Sequence, residues 1–172
     1  MNIDLVPIGN MDPGVLHKLS DGLKSIFGCP VQIEDPIPIP EQAFEPARNQ
    51  YLSDALIKEL RQYKNESTHL LGITEVNIYT HGLNFLFGQA DSDGNVALIS
   101  LSQLRGENYG LPADNKLLVE RALKEAVHEI GHTMGLGHCR DGSCVMHYSN
   151  SLIDTDVKNC HFCSRCQPKL IV

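Results

Sequence analysis

The feature that most constrains this chain is a pair of histidines near the end of one predicted helix. Apolar residues recur at helical spacing from Leu117 to Met134, with Pro112 before them and glycines after them, and this pattern predicts the helix. His128 and His132 lie four residues apart within it, so both side chains face the same side, one turn apart. This spacing allows two imidazole nitrogens to reach one Zn²⁺ ion at roughly 2.0–2.1 Å.

Three further residues extend this pair into a metal site with a base. Gly135 lets the chain leave the helix in a left-handed conformation, which would return His138 to the metal as a third ligand. Three protein nitrogens leave the fourth tetrahedral position open for water, as catalytic zinc requires. Glu129 lies about 100° around the helix from His128, close enough to reach that water, and so fits a general base. A His-Glu-x-x-His match alone can arise by chance, whereas the helix, the glycine and the third histidine together favour zinc.

Cysteines are concentrated after this motif, because five of the six follow residue 138. The first residues, 1–5, lack the basic and apolar regions of a secretory signal, and clustered cysteines then indicate metal binding more than disulfides. Cys160 leaves the choice of ligands open, because it forms a second Cys-x-x-Cys pair with Cys163, and His161 could replace a cysteine. Four thiolates close the tetrahedron of a structural zinc at Zn–S distances of about 2.3 Å. Two pairs have suitable spacing: Cys139 with Cys144, and Cys163 with Cys166.

The order of these residues resembles one known family. The run from His128 to His138, followed at once by Cys139 and then by Cys144 and Met146, is similar to the archaemetzincins, a branch of the metzincin zinc metallopeptidases. The resemblance implies an α+β fold. It would be a metzincin-like domain with a mixed twisted sheet, an active-site helix and a small C-terminal subdomain stabilised by a four-cysteine zinc site. The resemblance also implies a tight turn in which Met146 forms a hydrophobic floor beneath the catalytic zinc.

The same resemblance bears on the residues after the methionine. It favours Cys163 and Cys166 over Cys160 as the second pair of structural ligands, because that choice leaves the longer gap after the methionine. Tyr148 corresponds to a tyrosine that approaches the metal in some metzincin branches. The alternative for Tyr148 is a packed turn residue whose hydroxyl finds a partner.

The sequence as a whole predicts a single domain, 1–172, with an upper subdomain, 1–137, and a C-terminal subdomain, 138–172. The last ~35 residues are poor in apolar side chains, so we expect metal rather than apolar burial to hold them. Because His138 and Cys139 are adjacent, the structural zinc would then also support the third catalytic ligand. Residues 91–94 predict a hairpin turn rather than a calcium loop. Periodicity and turn signals predict strands at 2–8, 31–33, 73–79, 83–87 and 95–101, and helices at 13–27, 49–64 and 112–134.

Length, charge and composition limit the possible partners. The chain has 172 residues and a formal net charge of −7, a diffuse acidic balance that argues against nucleic acid. No apolar run approaches the ~18 residues that a transmembrane helix needs. We therefore expect a cytoplasmic monomer with no membrane partner and no room for an inhibitory propeptide domain.

The expected activity is that of a zinc-dependent peptidase that holds two Zn²⁺ ions, one catalytic and one structural. Glu129 would take a proton from a metal-activated water and later pass it to the leaving amine. A peptide substrate would lie extended along an edge strand, for which we expect residues 95–101. The alternative is a non-catalytic or latent zinc protein, with a blocked or empty histidine site and the four-cysteine module used for contacts with partners.

Overall fold

The computed structural model describes residues 1–65 and 68–170. Across these two ranges, no helix is both long enough and apolar enough to cross a lipid bilayer. Short 3₁₀ turns connect the main elements. In chain order these are β1 (Asn2–Ile8), α1 (Pro13–Phe27), β2 (Val31–Ile33), β3 (Phe44–Glu45), β4 (Gln50–Leu52), α2 (Ser53–Leu60), β5 (Thr68–Thr74), β6 (Ile78–Tyr79), β7 (Gly88–Asp91), β8 (Val96–Ser100), α3 (Asn115–Thr133) and α4 (Leu152–Val157).

The described residues form two sheets, and the free edge of the larger one lies next to helix α3. Its five strands have the order β2-β1-β5-β8-β7, with β7 antiparallel to β8 and the other pairs parallel. The expected α+β fold with a mixed sheet is confirmed. The strand predicted at 95–101 is β8, which lies between β5 and β7, so the prediction that it forms the substrate-binding edge is wrong. Residues 96–99 are all apolar and fully buried, as is typical of an interior strand covered on both faces.

Both faces of the larger sheet are covered by helices. On one face, Leu5 and Ile99 pack into a core shared with α1 and α3. On the opposite face, Ile8 and Leu98 pack against α2. Helix α3 crosses the first face and contacts both β8 and β7. This crossing brings the side chains of α3 next to the free edge of the sheet.

Local capping signals determine the ends of α1. The Asp12 carboxylate accepts a hydrogen bond from the backbone N–H of Gly14 at 2.8 Å, and Pro13 occupies the first helical position. Gly28 ends the helix with a φ of 63°, in the left-handed region that glycine adopts without strain. The helix predicted at 13–27 is therefore observed with the same bounds.

The helix predicted at 49–64 is shorter than expected. Residues 50–52 form β4, which pairs in parallel with β6, and α2 begins only afterwards. The buried amide of Gln50 donates to Asn77 Oδ1 at 3.2 Å and to the Asn84 carbonyl at 2.8 Å. A helical conformation at Gln50 would lose these distant partners, so tertiary contacts override the local helical pattern.

Two strand predictions are displaced along the chain. The range predicted as one strand at 73–79 holds the end of β5, which pairs with β1 along its whole length, and the separate short strand β6. Within the range predicted at 83–87, pairing is limited to a single bridge between Leu86 and Ile78, and β7 begins at Gly88. The sequence of β7, Gly-Gln-Ala-Asp, has low strand propensity, which explains why pattern alone misses it.

The long helix α3 begins three residues later than its proline suggests. Asp114 is the N-cap, and its carboxylate accepts a hydrogen bond from the backbone N–H of Leu117 at 2.9 Å. Pro112 lies outside the helix, so the start predicted there is wrong. The cap residue, rather than the proline, satisfies a free backbone donor of the first turn.

The segment that follows α3 joins the main core. Val145 and Met146 are fully buried, and with Leu152 they belong to the same apolar cluster as the sheet face beneath α3. The expectation that metal rather than apolar burial holds this segment is therefore wrong for these residues. Burial of such side chains contributes roughly 1.5–3 kcal/mol each.

Candidate active site

The C-terminal half of α3 brings the two predicted histidine ligands together. His128 is buried and His132 is half-buried, and their Nε2 atoms are 3.1 Å apart. The Nδ1 atom of His128 lies 2.7 Å from the Val145 carbonyl, and that of His132 lies 2.7 Å from the Leu136 carbonyl. Because a carbonyl only accepts hydrogen bonds, both Nδ1 atoms must carry the proton, which leaves both Nε2 lone pairs free for a metal.

This donor arrangement fits a zinc ion. Two unprotonated Nε2 atoms 3.1 Å apart repel each other unless a cation lies between them, and tetrahedral zinc with Zn–N near 2.0–2.1 Å requires about this separation. Burial is the main factor that lowers the pKa of His128, to about 2, and the nearby Lys158 cation lowers it further. Burial also lowers the pKa values of His132 and His138. The imidazoles are thereby held in the neutral form that binds metal.

Gly135 returns the chain towards the two helical histidines. Its φ is 86°, a left-handed conformation that favours glycine, and the backbone N–H of Leu136 donates to the Gly131 carbonyl at 3.0 Å. The ring of His138 then lies 4.9 Å from that of His132 between centroids. One nitrogen from each of the three histidines falls within 4.8 Å of the others. The structure therefore brings together all three residues predicted to bind the catalytic zinc.

Glu129 lies against the edge strand, where glycine makes room for it. A Cβ atom on Gly88 would lie 2.7 Å from Glu129 Cγ and 2.8 Å from its Oε1, closer than real side chains approach. Burial raises the pKa of Glu129 well above its usual range, and the Glu125 carboxylate raises it further, whereas Lys158 opposes this shift. A carboxylate of raised pKa is a stronger base, as a proton-accepting role requires.

Met146, which the family resemblance places beneath the catalytic metal, packs against helix α3 at Gly131, between His128 and His132 in the sequence. It is fully buried, and its Sδ atom packs so closely on Gly131 that a Cβ there would lie 2.5 Å away. Phe162 contacts the same glycine, at 3.1 Å from that Cβ position. The backbone carbonyl of Met146 accepts a hydrogen bond from Cys139 N–H at 2.8 Å. Because Gly131 has no side chain, Met146 and Phe162 can pack directly against helix α3.

The four predicted cysteines form a second cluster. Their Sγ atoms all lie within 4.8 Å of one another, and Cys139 Sγ is 3.8 Å from Cys163 Sγ, close to the spacing of two thiolates on tetrahedral zinc. Cys160 lies outside the cluster, with its Sγ 3.3 Å from His161 Nδ1. The members of the cluster are Cys139, Cys144, Cys163 and Cys166.

Comparison with known proteins decides the family. The model of the family described as Peptidase family M54 matches residues 19–171 of this chain. The chain belongs to this family. An archaemetzincin from Pyrococcus furiosus is 48% identical over 177 aligned positions, which cover 98% of this chain and 91% of that protein. The family resemblance read from the histidine and cysteine order is confirmed.

Solved structures of archaemetzincins and a related peptidase share the whole fold. The archaemetzincin of Methanopyrus kandleri matches with a TM-score of 0.86 and 38% identity, covering 98% of this chain and 92% of that one. A zinc-dependent peptidase from Methanocorpusculum labreanum matches with a TM-score of 0.90 and 29% identity, covering 98% of this chain and all of that one. The chain is therefore a zinc metallopeptidase, a hydrolase.

Two charged residues beside this site, Glu125 and Lys158, are not among those predicted from the sequence. Glu125 lines the cavity next to His128 and Glu129, and Lys158 is fully buried against it. Glu125 could have been found from its position four residues before Glu129, which places both on one face of α3. Lys158 follows a short helix in a polar segment, and no local signal distinguishes it from a surface lysine.

Proposed function

We propose that this protein hydrolyses peptide bonds at a zinc held by His128, His132 and His138, with Glu129 as the general base. The observation that carries this proposal is the convergence of three neutral imidazoles and a buried carboxylate on one open cavity of about 340 Å³. Gly88 of the edge strand lines the same cavity. A peptide bound along this strand would therefore lie close to both Glu129 and the metal.

Glu129 carries the proton transfers in this proposal. Zinc bound at this site supplies Lewis acidity, which polarises the scissile carbonyl and acidifies a water molecule. The Glu129 carboxylate takes the proton of that water as its oxygen attacks the carbonyl carbon. The same carboxyl group then gives the proton to the leaving nitrogen, so that the base is regenerated at the end of the cycle.

The free edge of β7 is the proposed docking strand for the substrate. The Phe87 carbonyl accepts from Ser100 N–H at 2.8 Å, and bonded and non-bonded residues alternate along an antiparallel pair. The backbone groups of Gly88 and Ala90 therefore point to the open edge. An extended peptide could pair with them next to the metal site, which would bind it through its backbone with little sequence preference.

The cysteine cluster is proposed to hold a second, structural zinc. Four thiolates leave no open coordination position, so this ion would fold the segment rather than react. We further propose that 138–172 forms a C-terminal subdomain of the single domain 1–172, with 1–137 as the upper subdomain. The segment follows the last turn of α3 and carries both a catalytic ligand and the four cysteines.

The test compares wild type with Glu129→Ala on a peptide-library digest while zinc per chain is measured. We expect two zinc ions in both proteins and a loss of about 10²- to 10⁴-fold in hydrolysis for the variant. Glu120→Ala is the matched control, since Glu120 lies on the same helix with its side chain exposed. Hydrolysis retained by Glu129→Ala would contradict the base assignment. A zinc-loaded wild type that cleaves no peptide would favour the latent alternative.

A further inference from the structure

A buried ion pair lies behind the site and has no role in the proposed proton transfers. Lys158 Nζ is 3.0 Å from Glu125 Oε1, and the two side chains are 0% and 4% exposed. Lysine and glutamate are rarely buried so completely, because removing both charges from water costs several kcal/mol per ion. Apolar residues of similar volume are often as stable in such positions, so stability alone explains this pair poorly.

The glutamate of the pair belongs to the wall of the active-site cavity. Glu125 lies one helical turn before Glu129 on α3 and, with His128, lines a cavity of about 200 Å³ beside the metal site. Its Oε1 atom also accepts a hydrogen bond from Thr155 Oγ1 at 3.0 Å. The carboxylate therefore has fixed partners from α4 and from the residue that follows it, Lys158.

The lysine connects this wall to the turn that follows Met146. Lys158 Nζ donates to the His147 carbonyl at 3.3 Å, and the imidazole Nδ1 of His147 lies 2.9 Å from the Cys139 carbonyl. Cys139 directly follows His138, the third histidine of the site. A continuous set of contacts thus joins the helix that carries two ligands to the backbone that carries the third.

We propose that the Glu125–Lys158 pair is a positioning device for the metal site and the cavity wall. It sets the distance between α3 and the segment 147–150, whose residues 148–150 line the same cavity as Glu125. Through His147 it also orients the backbone at Cys139, and hence the direction of His138. Neither residue needs to touch the substrate for this role. The effect of this pair on catalysis rests on the proposed function. Its effect on the histidine site can be tested separately, through the zinc affinity of that site.

The chain offers a matched control on the same two elements. Arg121 lies one turn before Glu125 on α3 and binds Asp156 of α4 through two contacts, of 2.7 and 2.8 Å. Its side chain is 4% exposed, and its third contact is to the Leu104 carbonyl. Replacement of this pair should also disturb the packing of α3 on α4, but should leave the contacts of Lys158 with Glu125 and His147 in place.

The experiment compares the double variant Glu125→Leu/Lys158→Met with the control Arg121→Met/Asp156→Leu. Each protein is loaded with two zinc ions, and a chelator competition then measures the zinc affinity of the histidine site and of the cysteine site. We expect the affinity of the histidine site to fall about 10- to 100-fold in the first variant and less than threefold in the control. The affinity of the cysteine site should fall less than that of the histidine site in the first variant, because Cys139 is only one of its four ligands, and should not change in the control. kcat/KM on a peptide substrate should fall with the histidine-site affinity.

A third variant keeps the test decisive if the double variant does not fold. Lys158→Arg retains a cation beside Glu125, so it should keep more zinc affinity than Lys158→Met, which leaves the buried carboxylate without its partner. Equal zinc affinity in Lys158→Met and wild type would overturn the proposal, as would an equal loss in the Arg121→Met/Asp156→Leu control. If wild type itself cleaves no peptide, the proposed function fails, while the affinity comparison still decides the positioning role.

Discussion

A single methyl group added at Gly88 should lower the catalytic rate strongly while the protein still folds. The glycine belongs to the edge strand β7, and its missing side chain leaves the space that Glu129 occupies. In Gly88→Ala, the new Cβ would lie 2.7 Å from Glu129 Cγ, whereas ordinary contacts begin at 3.4 Å. The same Cβ would lie 2.8 Å from the backbone oxygen of Leu98 in the paired strand β8, so the strand has little freedom to retreat.

The size of the effect follows from this overlap. Glu129 Cγ must move by 3.4 − 2.7 = 0.7 Å to reach an ordinary contact distance. A displacement of about 1 Å of a catalytic group can cost about 10²-fold in rate, so we expect kcat to fall about 10- to 100-fold. Overpacking costs about 1–3 kcal/mol of stability, and for a domain of this size each kcal/mol lowers the Tm by about 2–4 °C. The KM should change little, because the methyl group faces Glu129 rather than the open edge.

The assay measures kcat and KM on a quenched fluorescent peptide together with the Tm and zinc per chain. Gly22→Ala is the matched control, because its Cβ would lie 2.8 Å from the Leu123 methyl groups, in a contact between α1 and α3. This control also adds a close contact, but away from Glu129, so it should keep the kcat of wild type whatever its change in Tm. A Gly88→Ala enzyme with kcat within twofold of wild type would refute the reasoning, and a rise in KM alone would show that the methyl group obstructs the substrate instead.

Two further predictions concern the cysteines and pH. Cys160→Ser should keep two zinc ions per chain, whereas Cys163→Ser/Cys166→Ser should lose the structural zinc and weaken zinc binding by the histidines. Elemental analysis with chelator competition checks both, and one lost ion with unchanged affinity at the histidines would refute the coupling. Because the pKa of His128 is about 2 in the folded protein, against an ordinary value of 6.5, the unfolded chain takes up the additional proton below pH 6.5. Stability at fixed free zinc should therefore fall as the pH drops from 6.5, by up to about 1.4 kcal/mol per pH unit from this residue, and urea titrations that give the same stability at pH 7 and pH 5 would contradict it.

The parts of the molecule that the sequence predicts well depend on neighbours in the chain. The ends of α1 follow from Asp12, Pro13 and Gly28, each of which acts within a few residues. The histidine ligands are similarly local, because helical spacing alone places His128 and His132 on one face. In such cases the contact that determines the structure is already visible in the sequence.

The parts that the sequence predicts poorly depend on distant partners. The residues of β4 match a helical pattern, and only their pairing with β6 and the contacts of Gln50 with residues 77 and 84 select the strand. The edge of the sheet was misplaced for a related reason. An unbroken apolar run such as that of β8 is typical of an interior strand, but the strand that covers it, β7, carries almost no strand signal of its own, so 95–101 was taken for the edge.

His138 of the histidine site and Cys139 of the cysteine site are consecutive residues, so the two proposed metal sites are mechanically coupled. A planar trans peptide holds consecutive Cα atoms at about 3.8 Å, so a displacement of Cys139 passes directly to the histidine. Both backbone groups of Cys139 are also engaged by the turn around the methionine, its N–H by the Met146 carbonyl and its carbonyl by the His147 imidazole. The sulfur cluster, the apolar floor and the third imidazole therefore cannot move independently. A short segment of this kind can orient a metal ligand only because apolar burial, hydrogen bonds and ligand positions restrain the same few residues.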